Sequence, residues 1–201
     1  MRWLLLVMMV VNFSALAGCS STPKVERVDV DEVIDLSGNW NDADAIKTAK
    51  VMIEDVLAKP WYEKFIMDKG RLPTVIIGHV ANKTYEHINS QIFTKYLEKE
   101  LLNSGKVVFV ASPEEREQIR GERDDQHKGY TDPETMAQIG KEIGADFMLI
   151  GSMNSEKDEV KKKFVVLYQV NLELIDLNTN QKVWMGQNQI KKTAEKSRFS
   201  L

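Results

Sequence analysis

The largest cluster of side chains that could do chemistry is acidic. Six carboxylates fall in one short stretch: Glu114, Glu115, Glu117, Glu122, Asp124 and Asp125. Two carboxyl groups at a suitable separation can hydrolyse a glycosidic bond, one as general acid and the other as base or nucleophile. Three arginines are interleaved with them, namely Arg116, Arg120 and Arg123. This alternation favours exposed ion pairs over a catalytic pair.

The remaining reactive side chains form no recognisable catalytic or metal-binding motif. The three histidines, His79, His87 and His127, lack the four-residue spacing of a zinc-binding helix. The Gly151-Ser152 pair lacks the flanking residues of a nucleophile elbow, and glycine-rich phosphate loops are absent from the sequence. The sequence therefore predicts no catalytic residue, no metal and no cofactor.

The single cysteine, Cys19, follows a short apolar stretch near the N-terminus. One thiol cannot form an internal disulfide, so it is a buried side chain, a reactive group, a metal ligand or a modification site. Arg2 precedes about nine apolar residues, whereas a membrane-spanning helix needs roughly 20. A positive start, a short apolar stretch and then small residues are typical of a secretory signal peptide. Residues 1–18 are therefore predicted to be removed.

Residues 16–19, Leu-Ala-Gly-Cys, resemble the lipobox of bacterial lipoproteins. The resemblance implies a diacylglycerol on the Cys19 sulfur and cleavage that makes Cys19 the new N-terminus, which is usually acylated as well. Two or three acyl chains anchor a protein stably, whereas one binds a membrane only marginally. Ser20 follows the cysteine, a pattern that resembles lipoproteins sorted to the outer membrane of Gram-negative bacteria. An uncleaved signal anchor is the alternative.

Charge and composition limit the partners and the layout. The formal net charge is −3, which lacks the basic footprint of a nucleic-acid-binding protein. Residues 20–39 are polar and charged, and we expect residues 19–39 to be the lipidated cysteine and a flexible tether rather than a weak strand. About 20 such residues would span roughly 25 Å as a coil and about 65 Å when extended. Residues 40–201 are predicted to form a single globular domain.

The first half of this domain shows the pattern of helices and parallel strands. Asn41 can cap a helix that ends before Pro60, and a short helix follows it. Residues 74–80 and 106–110 are apolar on both faces, as expected of strands covered on both sides. The long helix between them, residues 88–104, makes a right-handed parallel crossover.

Two further helices are predicted before the last strands. Ser112 caps the first, and Glu115 completes a capping box. The body of this helix contains a single aliphatic residue, Ile119, so it is either solvated or held by something else. Asp132-Pro133 begins the second helix by the same logic. The apolar stripe of that helix is Met136, Ile139 and Ile143.

The C-terminal part is predicted to consist of strands. Residues 145–153 are mostly apolar, and residues 164–177 alternate apolar with polar, which is typical of a sheet with one face in water. After a turn at 178–180, residues 181–190 return antiparallel. The prediction is an α/β fold with a mixed sheet of about four to five strands. Its centre is parallel, its C-terminal hairpin is antiparallel, and helices flank it.

Longer stretches resemble the LpoB family. They are VIIGHVANKTYEHIN, FTKYLEKELLNSGKVVFVAS, ERDDQ, GADFMLIGSMNS and YQVNLELIDLNTNQKVWMGQNQIKK, in this order between about residues 39 and 192. LpoB proteins are outer-membrane lipoproteins that activate bifunctional penicillin-binding proteins. The resemblance implies a fold similar to the N-terminal domain of TolB. It also implies a monomer on the periplasmic face of the outer membrane that docks on a small regulatory domain of a peptidoglycan synthase and is no enzyme itself.

The resemblance also implies a partner-binding surface. It would include an ERxDQ-like stretch, here Arg120, Glu122, Arg123, Asp125 and Gln126, with Tyr168 as a neighbour. On physical grounds we add the polar loop 82–89, with candidates Asn82, His87 and Asn89. The alternative for these residues is ordinary loop chemistry, in which Asn89 only caps the next helix and Arg120 only pairs with neighbouring glutamates.

One departure from the family concerns the tether, which has a single proline, Pro23, and looks short for reaching a synthase in the inner membrane. Either the partner projects further out, the spacing of the membranes differs, or the partner is another protein. Two other functions stay open. One is a subunit of an envelope assembly such as a curli-type secretion pore, which the absence of long amphipathic hairpins disfavours. The other is a peptidoglycan hydrolase.

Overall fold

The computed structural model describes residues 26–29, 32–35, 37–140 and 142–195, so Cys19 and its lipidation lie outside the described residues. The chain divides into two units, Met1–Glu32 and Val33–Leu201. The elements described below all belong to the second unit. Residues 33–39, which the sequence assigns to the tether, also belong to it.

The second unit is a mixed α/β fold. Its helices are α1 (Asp42–Leu57), α2 (Pro60–Lys69), α3 (Ser90–Asn103) and α4 (Pro113–Gln126). Its strands are β1 (Thr74–Lys83), β2 (Val108–Phe109), β3 (Phe147–Val160), β4 (Lys163–Asp176) and β5 (Lys182–Glu195). The sheet order is β2-β1-β3-β4-β5. β1 runs parallel to β2 and β3, whereas β3, β4 and β5 are antiparallel, so the predicted fold class is confirmed.

Local sequence fixes where the helices begin and end. Asn41 and Asp44 form a reciprocal capping box at the start of α1. Ser112 and Glu115 form a second one at the start of α4, as their spacing predicts. α2 ends at Gly70, whose φ of 65° is the left-handed conformation that glycine adopts without strain.

One face of the sheet and three helices enclose the core. α2 packs its Trp61 and Phe65 rings edge-on against Phe147 of β3, with centroids 5.0 and 5.3 Å apart. The indole nitrogen of Trp61 donates to the carbonyl of Val56 at 2.7 Å, which joins the end of α1 to α2. Phe93, Leu97 and Leu101 of α3 and Ala49, Met52 and Val56 of α1 complete the helical side of the core.

β4 is the central antiparallel strand and confirms the predicted alternation. Every second side chain is buried, namely Val166, Tyr168, Val170, Leu172 and Leu174. The opposite face carries amide side chains that bond to one another. Gln169 donates to Asn171 at 3.1 Å, and Gln189 of β5 donates to Gln169 at 3.1 Å.

Four predicted elements differ from the structure. The strands predicted over 145–153 and 181–190 extend further, to Val160 and Glu195. The strand predicted over 106–110 is reduced to Val108–Phe109, because the chain turns after Val110 towards the cap of α4 at Ser112.

The helix predicted from Asp132-Pro133 is absent from the described residues between 132 and 143, which form turns and irregular structure. Asp132 accepts a hydrogen bond from the backbone N–H of Glu134 at 3.0 Å, and Gly140 has a φ of 80°, which no helix contains. The predicted stripe fails because Ile139 and Ile143 are exposed, so they do not bury the apolar face that would stabilise a helix.

Candidate partner-binding surface

Tyr168 organises one end of the domain from inside the core. Its side chain is only 1% exposed, and its ring lies edge-on to Trp40 with centroids 5.7 Å apart. Its hydroxyl bonds to Glu86 and lies 3.1 Å from the carbonyl of Gly38. Burial, and then the bond to Glu86, raise the pKa of the phenol. Tyr168 therefore positions surface groups, and its place beside a partner-binding surface stays a prediction.

The loop between β1 and α3 is held in shape by Asn82. Its amide donates to the carbonyls of Glu86 and Ile88 at 2.8 and 3.3 Å, and its carbonyl oxygen accepts from Thr84. Asn89 caps α3 by accepting from the N–H of Gln91 at 3.0 Å. Both asparagines therefore do the loop chemistry that was the alternative to partner contact. Their role at a partner surface stays a prediction.

A cleft of about 440 Å³ lies beside this loop. The exposed His87 lines it together with Trp40, Glu86 and Phe93. Glu86 also accepts from the backbone N–H of Trp40 at 3.2 Å, so its two carboxylate oxygens join the segment before α1 to Tyr168 of β4. The cleft is thus built by the loop and by the chain entering α1.

Lys192 of β5 fixes the same entering segment. Its ammonium lies 2.6 Å from Asp44 and 2.8 Å from Asp35, and it donates to the carbonyl of Asn39 at 3.0 Å. Burial alone would lower the pKa of Lys192, but the hydrogen bonds to Asp35 and Asp44 outweigh it, so the pKa is raised. Asp35 and Asn39, which the sequence assigns to the tether, are thus fastened to β5.

Helix α4 carries the other predicted residues and buries none of its side chains. Arg120 makes a two-pronged bond to Glu142, from Nε to Oε1 at 3.0 Å and from Nη2 to Oε2 at 2.8 Å. Arg123 adds a third bond at 3.0 Å to Oε1. The bonds to Arg120 lower the pKa of Glu142 and raise that of Arg120. From the sequence, the alternative for Arg120 was that it only pairs with neighbouring glutamates. In the structure the carboxylate closest to Arg120 is that of Glu142, which lies 22 residues further along the chain.

The rest of the predicted stretch serves α4 itself. Glu122 accepts from Gln126 at 3.0 Å, and Asp125 pairs with Lys128 at 2.9 Å. Gln126 also accepts from the backbone N–H of Ala137 at 2.9 Å, which ties the helix to the irregular segment after it.

The predicted residues thus fall into separate neighbourhoods, the loop around Glu86 and the exposed helix α4. A groove of about 1060 Å³ lies between them, lined by β1, α3 and the start of α4. Lys95 of α3 bridges to Glu115 of α4 at 2.8 Å and to Glu98 at 2.7 Å. These hydrogen bonds, to Glu115 first, raise the pKa of Lys95.

The described residues contain neither a metal-binding cluster nor a membrane-spanning helix. No group of three or more His, Cys, Asp or Glu side chains there could hold a metal ion. Each helix in that part of the chain is too short or too polar to span a bilayer.

Comparison with known proteins identifies the family of the chain, which the geometry alone does not. A family model described as the peptidoglycan-synthase activator LpoB matches residues 44–190, which run from α1 to β5. The chain belongs to the LpoB family. The resemblance noted in the sequence is therefore confirmed, and the family is one of synthase activators.

Several solved structures resemble the chain, all at low identity. The LpoB C-terminal domain of Salmonella enterica is 18% identical with a TM-score of 0.37, covering 65% of this chain and 93% of that one. The E. coli LpoB structure is 15% identical with a TM-score of 0.41, covering 90% and 87%. A lipoprotein of Neisseria meningitidis is 14% identical with a TM-score of 0.38, covering 63% and 87%. No curated protein sequence matches the chain.

Sequence reasoning missed four residues that shape these neighbourhoods, namely Trp40, Glu86, Lys192 and Glu142. Trp40 directly precedes the cap Asn41, and apolar residues at that position often pack back on the helix. Its packing could therefore have been predicted from the sequence. No sequence pattern indicates the roles of Glu86, Lys192 and Glu142, because each of them bonds to residues that are distant in sequence.

Proposed function

We propose that the protein is a lipid-anchored activator of a bifunctional penicillin-binding protein, held at the periplasmic face of the outer membrane. The observation that carries the proposal is the match of residues 44–190 to the LpoB activator family. The protein binds the regulatory domain of the synthase as a monomer and raises its polymerase and crosslinking activity. It catalyses nothing itself.

The anchor in this proposal is the acylated Cys19. The chain is fixed to the domain from Asp35 onward through Lys192, so the tether is counted from residue 20 to residue 34. About 15 residues extend to roughly 50 Å and average about 20 Å as a coil. A reach this short favours a synthase whose regulatory domain projects towards the outer membrane.

The docking surface in this proposal is the exposed side of α4 together with the loop around Glu86. Arginines are enriched at protein interfaces because their planar fork makes several directional bonds. On this side of α4 the Arg120 side chain is 51% exposed and that of Arg123 is 25% exposed. Hydrogen bonds from Asn82 and Tyr168 to Glu86 hold the neighbouring loop in place.

Two measurements test this proposal directly. Mass spectrometry of the envelope-extracted protein should show an acylated Cys19 at the N-terminus, and an unmodified thiol there would contradict the anchor. Binding of the full-length protein in detergent to purified synthases of the same organism should identify the partner. Arg120→Glu should weaken this binding. Lys64→Glu, an equal charge reversal on the exposed side of α2, should not.

Native mass measurement of the extracted protein separates this proposal from an assembly subunit. A monomer agrees with the activator, whereas a large closed ring would contradict it. Digestion of purified peptidoglycan by the wild-type protein, lost in single Glu→Gln variants between Glu114 and Glu122, would establish a hydrolase in its place.

A further inference from the structure

The groove of about 1060 Å³ runs along the edge of β1. Five consecutive residues of the strand line it, from Ile76 to Val80. Successive side chains of a strand point to opposite faces of the sheet, so a groove over one face would meet only every second residue. The groove therefore follows the edge of the strand, and its walls are α3 and the first turn of α4.

The backbone groups of this edge lack a neighbouring strand beyond the start of β1. β2 pairs only with Thr74 and Val75, and the last bond on this side runs from the N–H of Val110 to the carbonyl of Val75, at 3.2 Å. Backbone groups alternate between the two sides of a strand, so the N–H and C=O of Ile77 point to the same side as those of Val75. None of the described residues pairs with β1 on this side from Ile76 to Lys83.

The edge is weakly protected against pairing. Exposed edges are commonly blocked by lysine, proline, a bulge or a covering element. Residues 76–81 contain neither lysine nor proline, and the groove gives access to the edge from Ile76 to Val80. β1 has a bulge between Ile77 and Val80, but β3 pairs with it on both sides of the bulge, so the strand can still be paired.

The walls of the groove suit a single extended segment. Ile92 and Tyr96 of α3 and Phe109 of β2 line it, and Ile92 is 54% exposed. Lys95 of α3 and Glu115 of α4, one from each wall, meet at 2.8 Å and set the separation of the walls. A second copy would have to bring the edge of a whole sheet between these walls, whereas one added strand needs only about 4.8 Å beside β1.

We propose that this edge binds an extended segment of the synthase, which joins the sheet as a strand next to β1. Main-chain hydrogen bonds to β1 provide affinity, and every second side chain of the segment is apolar and packs against Ile92 and Tyr96. Asn89 and the first turn of α4 both line the groove, so the added strand joins the two neighbourhoods of predicted partner-binding residues. The inference rests on the proposed function, because it states how the synthase docks.

The test is amide hydrogen exchange of the full-length protein in detergent, with and without the cognate synthase. Exchange at residues 77–81 should slow about tenfold or more in the complex, because the added strand hydrogen-bonds this edge. Unchanged exchange there, although the synthase binds, would overturn the inference and leave the proposed function intact. Folded wild-type protein that binds no synthase would refute both.

Ile92→Glu and Leu102→Glu form a matched pair on α3. The two side chains are 54% and 50% exposed, but of the two only Ile92 lines the groove. The charge introduced by Ile92→Glu would be buried beneath the added strand, so synthase binding should weaken about tenfold or more. Leu102→Glu should bind as the wild type does. Equal binding by the two variants would contradict the inference, and far-ultraviolet circular dichroism checks that both fold.

A second copy of the chain is the competing occupant of the edge. Native mass measurement of the protein alone, at the concentration used for exchange, should give a monomer, and exchange at residues 77–81 should then be fast. A dimer with slow exchange at these residues would show that the chain fills its own edge, and would overturn the inference.

Discussion

The phenol of Tyr168 in β4 donates its hydrogen to Glu86, in the loop that follows β1. The same hydroxyl lies 3.1 Å from the carbonyl of Gly38, in the segment that enters α1. One buried side chain thus fixes both walls of the cleft beside the predicted binding loop. Tyr168 acts on the surface through Glu86 and Trp40.

Tyr168→Phe should lower the free energy of unfolding by about 1–3 kcal/mol, because it leaves the Glu86 carboxylate without the hydrogen that the phenol donates to it. Urea denaturation measures the loss, and hydrogen exchange should accelerate at residues 84–88. Tyr130→Phe is the control, since Tyr130 is 93% exposed. Equal stability of the two variants would show that the hydroxyl does not hold the loop.

Lys192→Met should release the segment that enters α1. The substitution leaves Asp44 without its cation and removes the bonds to Asp35 and Asn39. Hydrogen bonds to charged groups contribute about 1.5–3 kcal/mol, and a loss of that order is expected in the free energy of unfolding. Limited proteolysis should cut between residues 33 and 41 in the variant. Lys191→Met, one residue earlier on the opposite face of β5, should leave both unchanged.

Acid should weaken the junction between β1 and β3 through Asp146. Asp146 accepts two hydrogen bonds from the Arg71 guanidinium, at 2.7 Å each, and one from the backbone N–H of Thr74. The bonds from Arg71, and then the bond from Thr74, outweigh the effect of burial and lower the pKa of Asp146 below its usual 3.8. Because the pKa is lowered on folding, Asp146 contributes its full share to the free energy of unfolding above pH 3.8. This share is lost as the pH falls through the folded-state pKa.

Asp146→Asn should therefore lower the free energy of unfolding at pH 7 and flatten its decline between about pH 5 and pH 2. Urea denaturation across this range measures both effects. A decline as steep as in the wild type would mean that other carboxylates account for the acid sensitivity. Asp68→Asn, an exposed carboxylate at the end of α2, serves as the control.

The caps of α4 should decide whether it stays helical, because the core contributes nothing to it. Ser112→Ala removes the bond to the N–H of Glu115 and should cost about 1 kcal/mol. Hydrogen exchange along α4 should then rise about fivefold, while exchange along α3 stays unchanged. Unchanged exchange in α4 would show that another contact stabilises the helix.

Short-range signals predicted most of the fold. The capping residues Asn41 and Ser112 and the alternation of β4 depend on neighbours in sequence, and the structure confirms them. The parallel pairing of β1 with β2 was predicted from the strand-helix-strand order and is also confirmed. The helix after Asp132 was wrong because its stripe had no surface to pack against, which a sequence does not display. The pairing of Arg120 with Glu142 was not predicted for a similar reason, because 22 residues separate them in the sequence.

The rate of glycan polymerisation by the cognate synthase, measured with increasing full-length protein in detergent, tests the central claim most directly. Wild-type protein and Lys64→Glu should raise the rate to the same maximum, and Arg120→Glu should need a higher concentration to reach it. A synthase rate that stays at its basal value with folded wild-type protein would contradict the account.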